Sequence, residues 1–140
     1  MKKLICVLLM FLSGVASAEL PLHLKFNKSD PREKEIIRAS VKNLADSAVL
    51  IKSISLQQFS DNTWTVLFYH ITCPCLSKCN VVSTSLEPKK ELSLAFDFKK
   101  MGCGQVEQGT KYRVIAEGLR DAEKNQRTLL GESEPFIAKE

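Results

Sequence analysis

The chain has 140 residues, with 20 Lys and Arg against 16 Asp and Glu, five cysteines and 44% hydrophobic residues. Its acids and bases are interspersed, as in Arg32-Glu-Lys-Glu35 and Arg120-Asp-Ala-Glu-Lys124. This excludes the clustered Lys and Arg that drive phosphate binding, so no nucleic-acid partner is expected.

Residues 1–18, MKKLICVLLMFLSGVASA, combine Lys2 and Lys3, an apolar run from Leu4 to Leu12 and the small-residue site Ala16-Ser-Ala18. That layout predicts a signal peptide, with a mature chain from Glu19 in the periplasm or outside the cell. The apolar run falls short of the ~20 residues needed to span a bilayer, so no membrane span is expected after cleavage. Residues 19–140 are then one domain, and the basic residues drop to 18 against 16 acids, a net charge of +2.

In chain order, Leu22, Leu24 and Phe26 alternate with His23 and Lys25, which predicts a strand with one buried face and a solvated His23. Asn27 to Pro31 reads as a turn. Ile37, Ala39 and Val41 then alternate with Arg38, Ser40 and Lys42, a second strand, with Asn43 and Leu44-Ala-Asp-Ser47 forming a hairpin corner. A helix over 31–46 competes, capped by Ser29 or Asp30 with Pro31 in its first turn, and would give an α+β fold. The coherent alternation favours the strand. Val49 and Ile51, then Ile54 and Leu56, are out of phase, which predicts a strand with a bulge near Lys52-Ser53.

Ser60-Asp-Asn62 is a turn. Thr63 to Thr72 is rich in aromatic and β-branched residues, the composition of a central strand, buried on both faces or at least partly covered on the second. A short strand is expected at Val81 to Thr84. Leu92, Leu94, Phe96 and Phe98 alternate with Ser93, Ala95, Asp97 and Lys99, and Tyr112, Val114 and Ala116 share one side of a strand from Gly109. A charged loop over Gly118 to Arg127 precedes the closing segment Leu129 to Ala138. About seven short strands separated by turn residues indicate an all-β, antiparallel immunoglobulin-like β-sandwich.

Removal of Cys6 with the signal peptide leaves Cys73, Cys75, Cys79 and Cys103. An even number in an exported chain reads as a disulfide framework. Cys73 and Cys75 flank Pro74, too close to bridge each other without strain, so each takes a different partner. One would pair with Cys79 and the other with Cys103; which does which stays open. The alternative is a thiolate site for Cu(I) or Zn(II), with His70 nearby. The spacing is not the paired C-x-x-C of structural zinc sites, and no cofactor is expected. There is no G-x-S-x-G turn, no phosphate-cradling glycine loop and no thioredoxin-type C-x-x-C, so no enzyme activity is expected. Asp97 and Glu107 are the acids that could pair.

The segment Val41-Lys-Asn-Leu-Ala-Asp-Ser-Ala-Val-Leu-Ile51 resembles a hairpin of the bacterial immunoglobulin-like and fibronectin type III-like β-sandwich superfamily. Gly109-Thr-Lys-Tyr-Arg-Val114 is similar to its tyrosine-corner strand, Ser133-Glu-Pro-Phe-Ile137 to its closing strand, and Trp64 sits early in a strand, as a core tryptophan does there. The resemblance implies binding or scaffolding of an envelope or extracellular protein. Recognition is expected in two loops, through Leu76, Ser77 and Lys78 and through Arg120, Lys124 and Arg127, since sandwich loops carry recognition. Two other functions compete: a periplasmic metal-binding protein built on the four thiolates, and an inhibitor of a secreted hydrolase built on the helical reading.

Overall fold

The structure, a computed structural model, describes residues 20–28, 32, 34–69, 83–101, 105–119 and 126–138. The proposed signal peptide lies outside them. The described residues form an all-β fold of two antiparallel sheets. β1 (Leu22–Phe26), β2 (Ile36–Asn43) and β6 (Glu91–Asp97) make a three-stranded sheet in the order β1-β2-β6. The second sheet runs β4-β3-β7-β8, from β3 (Val49–Ser60), β4 (Thr63–Tyr69), β7 (Lys111–Leu119) and β8 (Thr128–Glu132). β5 (Thr84–Leu86) shares one edge of β3 with β4, and β9 (Phe136–Ile137) shares the outer edge of β7 with β8. Against about seven expected strands, the described residues form nine, the closing segment dividing into β8 and β9.

The alternation in the sequence becomes the core directly. Leu22, Leu24, Ala39, Val41, Leu94 and Phe96 face inward from the first sheet; Val49, Ile51, Leu56, Tyr112, Val114 and Leu130 belong to the same buried cluster from the second. His23 is exposed, as its phase requires. The bulge expected near Lys52-Ser53 is present as a register shift between Ile51 and Ser53 against β7. It returns Ile54 and Leu56 to the core side after Val49 and Ile51. Gly118 lies opposite the bulge; a Cβ there would overlap the Leu50 carbonyl oxygen and come within 2.8 Å of the Lys52 nitrogen.

The strand reading of the second element holds and its helical alternative over 31–46 falls: residues 36–43 are β2, paired with both β1 and β6. Three expectations change. Leu44 to Ser47 is not a hairpin corner, because β2 and β3 lie in different sheets, so this turn carries the chain across the sandwich. The segment read as a central strand is an edge strand: among the described residues β4 pairs only with β3. The short strand near 81–84 is β5 at Thr84–Leu86; Val81 and Val82 lie outside the described residues.

Asn43 holds the crossing in place. It ends β2 on the inward phase, fully buried. Its Nδ2 donates to the carbonyls of Ser47 and Leu86, both at 2.9 Å, and its Oδ1 accepts from the Ala45 N–H at 2.9 Å. The last contact is the local side-chain bond with which Asn stabilises turns. Its backbone N–H donates to Lys90 O and its carbonyl accepts from Lys89 N–H. One residue thereby ties the end of β2, the crossing turn and the β5–β6 turn together. Lys89, at φ 62°, adds a bond from its ammonium to the Leu44 carbonyl, at 2.6 Å.

The β3–β4 hairpin closes through Asp61 and Asn62, both at positive φ (51° and 60°). That is the two-residue turn whose twist suits a hairpin, and Asp and Asn tolerate it better than other non-glycine residues.

Candidate interaction face

Cys73, Cys75, Cys79 and Cys103, together with His70, Leu76, Ser77, Lys78, Arg120 and Lys124, lie outside the described residues. The disulfide, metal and loop-recognition expectations therefore concern segments flanked by β4 and β5, by the short helix α1 (Phe98–Met101) and β7, and by β7 and β8. Arg127 is described. Its Nε donates to Glu117 Oε2 at 3.0 Å and its Nη2 to the Ser53 hydroxyl. These bonds fasten the start of β8 to the face of the sheet.

That face, the side of the second sheet turned away from the core, gathers the chemistry that spacing alone did not bring together. The tight hairpin sets Phe59 opposite Trp64, their rings 5.2 Å apart and tilted by 56°. β7 then places Arg113 beside Gln57 in register. The Arg113 guanidinium lies 4.3 Å from the centre of the Trp64 ring. Its Nε donates to Gln57 Oε1 at 2.8 Å and its Nη1 to Glu132 Oε1 at 2.9 Å. Lys111 stands 5.8 Å from the centre of the Phe59 ring. Trp64 is only half-buried and stays out of the core cluster, which corrects its reading as a core tryptophan. Beside it Val66 is 37% exposed. The cation–π contact and the tilted ring pair are each worth ~0.5–1 kcal/mol at such exposure.

Physically, six side chains from four strands hold one another in fixed orientation while leaving aromatic surface in contact with water. A partner would meet Trp64 already positioned, and would lose little side-chain freedom on binding. The sequence did contain a signal for this: Phe59 and Trp64 straddle a two-residue turn, so a hairpin there must set them side by side.

Tyr112 is fully buried where β7 begins, and its hydroxyl accepts the Glu107 N–H at 2.9 Å, five residues upstream. This is the bond a tyrosine corner makes to the backbone a few residues before it. Burial pushes the hydroxyl above the usual tyrosine pKa; the Glu107 N–H bond opposes that shift and the Glu107 carboxylate adds to it. Asp97 and Glu107 serve separate turns. Asp97 Oδ1 caps α1 through the Lys100 N–H at 3.0 Å, and Glu107 Oε2 lies 3.5 Å from the Thr110 hydroxyl.

No family model matches the chain, and no curated protein does. A crystal structure of a protein from Archaeoglobus fulgidus aligns over 84% of this chain and 95% of its own, at 10% identity and a TM-score of 0.35. A likeness of that size carries no argument. Among the described residues, no helix is long and apolar enough to cross a membrane. Nor do three or more His, Cys, Asp or Glu side chains gather where they could hold a metal ion.

Proposed function

We propose that this chain is an exported, non-enzymatic binding or scaffold module of the bacterial envelope, a member of the immunoglobulin-like and fibronectin type III-like sandwiches, which engages another exported protein. The preorganised Trp64, Phe59 and Arg113 cluster carries the reading. Tryptophan and arginine dominate the energetics of protein interfaces, and this face offers both, beside an exposed Val66 and on rigid strands. The strand order and the Tyr112 bond support the superfamily. The signal-like residues 1–18 and the four remaining cysteines support export and two disulfides that staple the domain.

Two measurements test the proposal together. The intact mass of the exported protein is expected to match residues 19–140 less four hydrogens. Four free thiols with a bound metal would replace this reading with the thiolate-site reading, which rests on the Cys73-x-Cys75-x-x-x-Cys79 spacing. Affinity capture from envelope extract is expected to retain a partner that the folded Trp64→Ala variant loses by about tenfold or more in affinity. Capture unaffected by that substitution, or no partner at all, would refute the role of this face.

A further inference from the structure

We propose that the edge of β4 turned away from β3, unpaired among the described residues, pairs with β4 of a second copy of this chain, forming a twofold dimer through a continuous sheet. Three observations meet on this strand.

The first is composition against position. Thr63-Trp-Thr-Val-Leu-Phe-Tyr69 is the sequence of a strand flanked on both sides, rich in aromatic and β-branched residues and free of glycine and proline. Yet it stands at the end of the sheet order, paired with β3 on one side and, among the described residues, with nothing on the other. An edge strand leaves a row of backbone N–H and C=O groups open to another strand.

The second is that β4 carries only one of the usual guards, a bulge. Natural edges are blunted by charge, proline, shortness or a bulge that twists the edge away. β1 carries His23 and Lys25, β6 carries Glu91 and Asp97, and β8 carries Glu132. β5 and β9 have three and two residues. β4, with seven residues, carries no charge at all. Its one irregularity is the register shift opposite Leu56 and Gln57, which leaves Leu67 as the extra residue. A bulge bends the strand, so the straight run open to pairing is Thr63–Val66.

The third selects the occupant. A twofold axis sets a strand antiparallel to its own image, so each residue i faces a residue j whose own copy faces i, and charges of one sign on the strand are brought close together across the axis, which is destabilising. A strand without charge avoids that cost in every register, and Thr65 and Val66 are both exposed. A charged peptide would find no complementary charge on β4. The net charge of the chain is only +4, so repulsion between copies is small. In such a dimer the half-buried Trp64 and Phe59 of each copy extend one apolar strip across the axis.

Analytical ultracentrifugation of the purified, export-processed protein up to about 0.1 mM tests this, in concert with hydrogen exchange at two concentrations. A dimer is expected, with β4 amides more protected at the higher concentration. Thr65→Lys, a guard placed on an exposed side chain, is expected to weaken dimerisation by about tenfold or more with the circular dichroism spectrum unchanged. Exchange at β4 in the unaltered protein decides the matter if that variant fails to fold. A monomer throughout the range, a dimer whose β4 protection does not depend on concentration, or one that Thr65→Lys leaves intact in a folded variant would overturn the proposal. It stands apart from envelope-partner binding: failure to capture a partner leaves it untouched, and a monomer leaves the Trp64 face available.

Discussion

Replacing Asn43 probes the junction on which the sandwich turns. Asn43→Ala removes three side-chain hydrogen bonds at once. The Leu86 carbonyl bond is buried, and leaving that acceptor without a partner costs ~1–3 kcal/mol. The Ser47 carbonyl and the Ala45 N–H are partly reached by water, so each loses nearer ~0.5–1 kcal/mol. The sum is about 2–5 kcal/mol, or a fall in Tm of roughly 10–15 °C for a domain of this size. Asn43→Asp sharpens the test. It keeps an acceptor for Ala45 but points a carboxylate at two carbonyls, which disfavours the charged form and raises its pKa in the fold. Its destabilisation should therefore grow as pH rises past about 4, whereas that of Asn43→Ala should stay flat. Urea unfolding at pH 4 and pH 7, with unchanged m-values, measures both. A loss below about 1 kcal/mol for Asn43→Ala, or an Asp variant as stable at pH 7 as at pH 4, would refute the assignment of Asn43 as the lock of the crossing.

Tyr112→Phe removes the bond from the Glu107 N–H and should cost about 1 kcal/mol near neutrality. Because burial raises the pKa of this hydroxyl, its contribution is complete below about pH 10, where the unfolded chain begins to lose the proton, and is lost as pH climbs through the folded value. The gap between wild type and variant should narrow above pH 10 in alkaline unfolding curves, and a constant gap would count against the buried, bonded hydroxyl. Gly118→Ala should destabilise by about 3 kcal/mol in denaturant titrations, because its Cβ meets the backbone of Leu50 and Lys52, which cannot yield as a flexible side chain would; a near-neutral result would mean that the bulge relaxes.

The strands were legible wherever one face is buried and the other wet. Leu22-His-Leu-Lys-Phe26 states its own orientation, and the phase change between Ile51 and Ile54 announces a bulge, because a period of two cannot skip a beat otherwise. Less legible was whatever depends on non-local pairing. Leu44 to Ser47 declares a turn, but whether the chain returns to the same sheet depends on β6 and β7, which arrive far later in sequence. β4 misled for the same reason: its composition reports what it can pair with, not how many neighbours it has. Asn43 left a clue that was missed, a polar residue on the inward phase directly after Ala39 and Val41. The Trp64 and Arg113 stack could not be read, because Arg113 reaches Trp64 only through the β3–β7 register. The cysteine and loop expectations fall outside the described residues and rest on the sequence.

The ties that fasten this sandwich span long stretches of chain: Asn43 to Leu86 over 43 residues, Gln57 to Arg113 over 56 and Ser53 to Arg127 over 74. Such loops must close before any reward is collected, so folding should be slow, in the millisecond-to-second range of β-sandwiches. Contacts of this reach form late on the way to the native state, and their loss should show first as a shorter native lifetime rather than a slower approach to it.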